Sequence, residues 1–252
     1  MSKDRLNLSE GEIRLGEWCK QQGIKRFLFD LDDTICPTRQ VFREVMAEAF
    51  DHLASNTSFR TRDEWKADVE EINNRLFEKI GVNPVRWNFV VDELGGKHSL
   101  QLPLMNEVKG IFQKIYKTPL AMMNGAEEGL QIIKNIRIPI GIVTHASRDW
   151  TKMKYNWLDL ARFVQTNDIF VIDENGHKTS ESWTQAIQYF RLSPIDCAVV
   201  GDSPRSDINP AMEAGVKHCF LVEDPNIWSI HNLPVDQSVK RIKTLKQIIE
   251  VV

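Results

Sequence analysis

A chain of 252 residues, 42% hydrophobic and 27% charged, buries one large α/β core or a core with a modest inserted domain, and has no low-complexity run or repeat. Its net charge of −3, with Lys and Arg scattered among acids, leaves no basic field for nucleic acid. No stretch has the length to span a bilayer and the opening MSKDRLNLSEGEIRLGEW lacks a signal peptide's apolar run, so a cytoplasmic protein with no membrane partner is expected.

Ser9-Glu10-Gly11-Glu12 has the spacing of a capping box and Gly23 supplies a stop, so a first helix is expected over 9–23. Phe27-Leu28-Phe29-Asp30-Leu31-Asp32 is an apolar run without helical period that ends in acids, the pattern of a buried parallel strand. Runs at 138–143, 169–172, 197–200 and 218–222 share that character, and helical patterns at 150–160, 182–190 and 210–213 lie between them. Strands alternating with helices predict a Rossmann-like α/β fold, a parallel sheet covered on both faces.

Residues 37–119 break the alternation. They contain no buried strand pattern but amphipathic helical patterns at about 40–54, 61–79, 84–94 and 103–116. The expected division is an α/β core of residues 1–36 and 120–252 with a helical domain of 37–119 inserted after the first strand. Within the insertion Trp65, Leu76, Phe77, Trp87 and Phe89 are expected to form its own core. The last stretch, 239–252, reads as an amphipathic helix packed on the core.

Ligands of open parallel sheets bind at the carboxyl ends of strands, and four ends here carry polar residues: Asp30 to Thr34, Thr144, Lys178, and Asp202 to Asp207. Asp30 and Asp32, two apart, share one side of a sheet edge, with Asp202 and Asp207 after a strand expected close by. Carboxylates about 4 Å apart repel by roughly 4 kcal/mol per pair at an effective dielectric near 20. A divalent cation and a lysine resolve that repulsion, and hard oxygen ligands favour Mg²⁺. A lone pair of acids in a loop reads better as a cap or solvated turn; four strand ends in this order do not.

That ordered set resembles the haloacid dehalogenase superfamily, in its phosphatase branch with a helical cap. Phe29-Asp30-Leu31-Asp32-Asp33-Thr34 is similar to its first motif, Thr144 in Ile142-Val143-Thr144-His145 to its second, Lys178 to its third, and Gly201-Asp202-Ser203-Pro204-Arg205-Ser206-Asp207 to its fourth. The matches run from about 26 to 222, the first and fourth being the specific ones. The resemblance implies Mg²⁺-dependent hydrolysis of small phosphate monoesters, with Asp30 as the nucleophile that becomes an aspartyl phosphate and Asp32 as acid, then base. It implies Mg²⁺ held by the side chains of Asp30 and Asp202 and the carbonyl of Asp32, with Asp207 in support. Thr144 would donate to a phosphoryl oxygen, and Lys178 would steady both Asp30 and the phosphoryl group; apart from the resemblance, His145 directly after Thr144 reads as a substrate contact, through its backbone N–H more than its ring. The implied partner is a small phosphorylated metabolite; no feature of the sequence bears on oligomeric state.

The third motif departs from the pattern, since Thr179-Ser180 follows Lys178 where many relatives place a proline. Lys152 and Lys154 are the substitutes for that lysine, and otherwise read as a solvated helix face. Dehalogenation, in which the Asp attacks carbon without a metal, would have no use for so many carboxylates. A phosphomutase acting on sugar phosphates and a non-catalytic binding or regulatory protein of the same fold are the alternatives.

Asp33 is expected to tie down the turn and Thr34 to bond local backbone. Thr38, Arg39 and Arg43 read as a solvated face with substrate contact as the second reading, and Arg205 is a candidate partner for the acids of its own loop. His52, His98, His177, His218 and His231 show no metal-ligand spacing, and Cys19, Cys36, Cys197 and Cys219 read as reduced packing thiols.

Overall fold

The computed structural model describes residues 8–225 and 231–252, so the first seven residues of the opening stretch lie outside the described residues. The chain opens with α1 (Glu10–Gln22), started by a reciprocal Ser9–Glu12 capping box and ended by Gly23 in the left-handed region. Strand β1 (Arg26–Phe29) comes next, then α2 (Thr38–Asn56), α3 (Arg62–Ile80), α4 (Arg86–His98) and α5 (Leu102–Gln113). The rest alternates: α6 (Ala126–Asn135), β2 (Ile140–His145), α7 (Arg148–Trp157), β3 (Ile169–Ile172), α8 (Ser180–Tyr189), β4 (Cys197–Gly201), α9 (Asn209–Glu213), β5 (His218–Val222) and β6 (Lys240–Ile242).

All six strands pair in parallel in the order β3-β2-β1-β4-β5-β6. The chain therefore reverses its direction of travel across the sheet at β1, and the crevice beyond the carboxyl ends of β1 and β4 is the topological switch point. Register places Phe29 opposite Ile142 of β2 on one side and Val200 of β4 on the other. The loops that leave these three strands therefore meet at one edge of the sheet.

Side chains alternate across the strands, so Leu28, Val143 and Val199 pack with Trp183, Ile187 and Ile208 under one face. Phe27, Phe29 and Ile142 pack under the other face with Leu15 and Leu130, in an apolar core that continues into the helical segment through Val45, Trp87 and Phe112. There Trp87 and Phe112 stack with centroids 4.5 Å apart. Trp65 and Leu76 are buried as expected, but Phe89 is 45% exposed and Phe77 lines a cavity instead of the interior. The amphipathic period that flagged them does not say which edge of the apolar stripe meets solvent.

Two elements differ from expectation. The sequence reading leaves α6 out altogether. The expected C-terminal helix is replaced by β6, added in parallel to β5, and a short 3₁₀ turn, Leu245–Ile249. Val239, Ile242, Leu245 and Ile248 are all buried; their spacing suits a helix face, yet the open edge of β5 offers backbone hydrogen bonds that a helix would leave unmade. No helix among the described residues is long and apolar enough to cross a membrane.

Candidate active site

The Asp30 N–H donates to the Val200 carbonyl at 2.9 Å, so Asp30 extends the β1–β4 ladder by one step, and Asp202 comes directly after Gly201 on the neighbouring strand. The chain then makes a π-helical turn over Pro204–Ile208, which brings Asp207 back to accept the Ser203 N–H at 3.0 Å. Gly201 makes that return possible: a Cβ there would stand 2.4 Å from the Cβ of Asp207. Ligand oxygens of Asp30, Asp202 and Asp207, all buried, lie within 4.8 Å of one another. Lys178 Nζ sits 2.6 Å from Asp30 Oδ1 and 2.7 Å from Asp207 Oδ1.

Asp32 stands outside this trio. Its Oδ1 accepts from the Thr38 hydroxyl at the start of α2 and from Lys154 Nζ on α7. Lys154 has no exposed surface and lies 3.5 Å from the ring centroid of Trp150, so its reading as a solvated face is corrected. The signal available was Trp150, four residues earlier on the same helical face. Lys152 is exposed.

Arg39 also departs from the solvated reading. It is buried, and pairs with Asp202 at 2.6 Å, with Asp33 at 3.4 Å and with Asp224. Asp33, at φ 62°, accepts the Arg39 N–H at 2.7 Å while its own N–H donates to the Cys36 carbonyl, which ties the turn down. The Thr34 hydroxyl is buried without a partner among the described residues, unlike the local backbone bond expected. Arg205 reaches Glu78 of α3.

Asp30, Asp32, Lys178, His145, Asp202 and Asp207 line one cavity of about 180 Å³. Thr144 is fully buried with its hydroxyl unpartnered among the described residues; the next residue, His145, is the one at the cavity wall. The opposite wall comes from the helical segment, where Phe42, Asn73, Phe77, Arg86 and Tyr116 were not singled out as site residues by local pattern, apart from Phe77 as a core aromatic. His231 also reaches the cavity, its Nδ1 3.1 Å from the Ser203 hydroxyl.

The electrostatics ask for more positive charge. Burial raises Asp30 to about 7, with Asp207 and Asp32 adding to the effect against the pull of Lys178. Burial, then Asp207 and Asp30, hold Asp202 well above the usual carboxylate range. Burial alone would lower Lys178, but Asp207 and Asp30 keep it raised. Burial and then Lys178 lower His145 to about 4, so its imidazole is neutral near pH 7. Three buried carboxylates with the Lys178 ammonium between them, and with an Arg39 guanidinium that Asp202 shares with Asp33 and Asp224, make a hard oxygen donor set suited to Mg²⁺. The backbone bonds of the loop after β1 end on the carbonyls of Leu31, Ile35 and Cys36, and among the described residues none ends on that of Asp32, a further oxygen that could join such a set.

The family profile of the haloacid dehalogenase-like hydrolases matches residues 24–215. Among curated proteins, none matches this sequence. A haloacid dehalogenase-like hydrolase of Xanthomonas campestris superposes with a TM-score of 0.74 at 13% identity, over 90% of each chain. A proposed beta-phosphoglucomutase of Thermotoga maritima gives 0.63 at 18% identity, over 90% of this chain and 98% of its own. A proposed HAD hydrolase of Bacillus subtilis, bound to magnesium, gives 0.63 at 17% identity over the same shares. Those likenesses show the fold, and with the profile covering most of the chain, this protein belongs to the haloacid dehalogenase-like hydrolases.

Proposed function

We propose that the chain is a Mg²⁺-dependent phosphatase that cleaves small phosphate monoesters through an aspartyl phosphate on Asp30, with residues 37–119 as a cap over a core of 1–36 and 120–252. The observation that carries this reading is the separation of two kinds of carboxylate in one cavity: the buried trio of Asp30, Asp202 and Asp207 on Lys178, and Asp32 apart from it.

In the first half-reaction an Asp30 oxygen attacks phosphorus in line as the bond to the leaving oxygen breaks, and Asp32 gives that oxygen a proton. In the second, Asp32 takes a proton from water as its oxygen attacks the same phosphorus, and the bond to Asp30 breaks. Both bonds to Asp32 fall on Oδ1, so the other oxygen is the one that carries the proton. Lys178 orients Asp30 and offsets charge on the transferring group, and the Thr144 hydroxyl and the His145 backbone would contact it. The side chains of Asp30 and Asp202 and the Asp32 carbonyl, with Asp207 in support, would hold Mg²⁺, which would supply the neutralisation that lets one anion approach another.

A cavity of about 180 Å³ walled on one side by helices suits a small metabolite better than a macromolecular surface, and we take the protein as cytoplasmic, without a nucleic-acid or membrane partner. The magnesium bound to the Bacillus relative supports the metal assignment. The test is turnover of p-nitrophenyl phosphate with Mg²⁺ and with EDTA. Expected is activity in Mg²⁺ alone, reduced at least about a thousandfold in Asp30→Asn; equal activity with chelator, or in the variant, overturns the reading.

A further inference from the structure

Arg86, the first residue of α4, is only 4% exposed. Its Nε donates to Asn73 Oδ1 at 2.9 Å, its Nη1 donates to the Gly81 carbonyl, and the guanidinium carbon lies 5.1 Å from the Phe77 ring centroid and 5.4 Å from that of Trp87. Every hydrogen-bond and ring partner it has among the described residues is neutral. No carboxylate of the described residues lies within ion-pair distance of Arg86, whereas Arg39 and Lys178, the other cations at this cavity, each hold two acids or more. Burial lowers the pKa of Arg86, the mark of a cation short of a counter-charge, although arginine stays protonated.

A guanidinium removed from water without an anion is costly to the fold, and removing one partner from a buried pair is the most expensive form of that cost. Arg86 is placed where the missing anion can arrive, since it lines the same cavity as Asp30 and Lys178. We infer that Arg86 anchors a carboxylate on the substrate, so that the substrate class is the phosphorylated small carboxylic acids; this rests on the phosphatase reading for the opposite end of the molecule.

Charge decides the class. A neutral tail would leave Arg86 unpaired. A second phosphoryl group, near −2, would be half uncompensated, because the other cation that the helical wall brings to the lining, Arg39, is already paired with Asp202, Asp33 and Asp224. A carboxylate carries one charge, accepts from a planar fork, and fits beside a phosphoryl group in about 180 Å³.

The test uses the wild-type protein and matched compounds of two to four carbons: ω-phosphonooxy carboxylates, their carboxamide isosteres and alkane bisphosphates. With Mg²⁺, kcat/KM for the best carboxylate is expected to exceed that of its carboxamide by about tenfold or more. In Arg86→Gln that ratio falls to within about twofold, and in Arg86→Lys it is partly kept; a residue that only braces the Gly81 loop would lower both substrates together. Binding of the uncleavable phosphonate carboxylate and carboxamide, measured by calorimetry on wild-type protein, reads the same preference without turnover and does not depend on the variants folding. A wild-type ratio near one in both measurements, or a bisphosphate preferred tenfold, overturns the inference. Turnover of p-nitrophenyl phosphate without carboxylate preference removes the anchor alone; carboxylate-selective binding without any turnover removes the phosphatase reading and keeps the anchor.

Discussion

Lys154 Nζ lies 2.5 Å from Asp32 Oδ1, and the same oxygen accepts the Thr38 hydroxyl. Two donors from α2 and α7 on one oxygen hold the carboxylate in a single rotation, with Trp150 closing over the ammonium. Lys154→Met keeps length and packing and removes the charge. Loss of a well-placed acid costs about a hundredfold in rate or more, so kcat on an aryl phosphate is expected to fall by roughly that factor. The melting temperature should hold within a few degrees, because Asp32 keeps 23% of its side chain in solvent and the variant no longer buries an ammonium. A kcat equal to wild type would remove Lys154 from the reaction.

Asp202 is the strongest probe of the metal. Ligand at about a hundred times its Kd stabilises by about 2.7 kcal/mol, which for a chain of this size is a rise of roughly 5–10 °C. Wild-type protein should show such a rise when Mg²⁺ replaces chelator, and Asp202→Asn should lose most of it. In chelator the variant is expected to melt no lower than wild type, since burial already holds Asp202 far above its usual range and Arg39 keeps Asp33 and Asp224. A full Mg²⁺ response in the variant would contradict the assigned ligands.

His145 gives a pH dependence of fixed sign. Its folded pKa is about 4 against an ordinary 6.5, so between those values the unfolded chain binds the extra proton and acid favours unfolding. The penalty is absent above pH 6.5, grows as pH falls, and is complete below about pH 4. Asp30 and Asp33, raised to about 7 and 6, act in the opposite direction, so the difference between two proteins is the quantity to measure. The melting temperature of His145→Gln minus that of wild type, in chelator, should become more positive from pH 6.5 down to 4 and then level off; a flat difference would mean that His145 is not buried as described.

Gly81 sits where the helical segment meets the loop after β3. Its φ is +61°, and a Cβ would stand 2.5 Å from the Glu174 carbonyl oxygen and 2.6 Å from that of Gly176. Asn83 donates to Asn175 Oδ1 across the same seam. Gly81→Ala must displace backbone as well as adopt a strained conformation, at about 1–3 kcal/mol, and the seam is the place that yields. Hydrogen exchange should speed up at 173–177 and 80–84 while the strands keep wild-type protection. Unchanged exchange there would show that the seam does not hold the segment down.

How much was legible in the sequence depends on the range of the forces. Strand ends with acids, the parallel alternation and the helical interval at 37–119 are written in local period and in residue type at fixed spacing, so Asp30, Asp32, Asp202, Asp207 and Lys178 could be gathered before any fold was known. Lys154, Arg39 and Arg86 could not. Each looks locally like a cation on a solvated helix; burial depends on a residue far along the chain for Lys154 (Asp32) and Arg39 (Asp202), and for Arg86 on how the end of α3 folds back to offer Asn73 and the Gly81 carbonyl. The strand β6 was hidden for the same reason, because Lys240–Ile242, inside the helix-like apolar spacing of Val239, Ile242, Leu245 and Ile248, becomes a strand only where an unpaired sheet edge waits for it. Side-chain type and period are properties of a segment; whether a charge is solvated or paired is a property of what folds against it, and tertiary structure alone decides that.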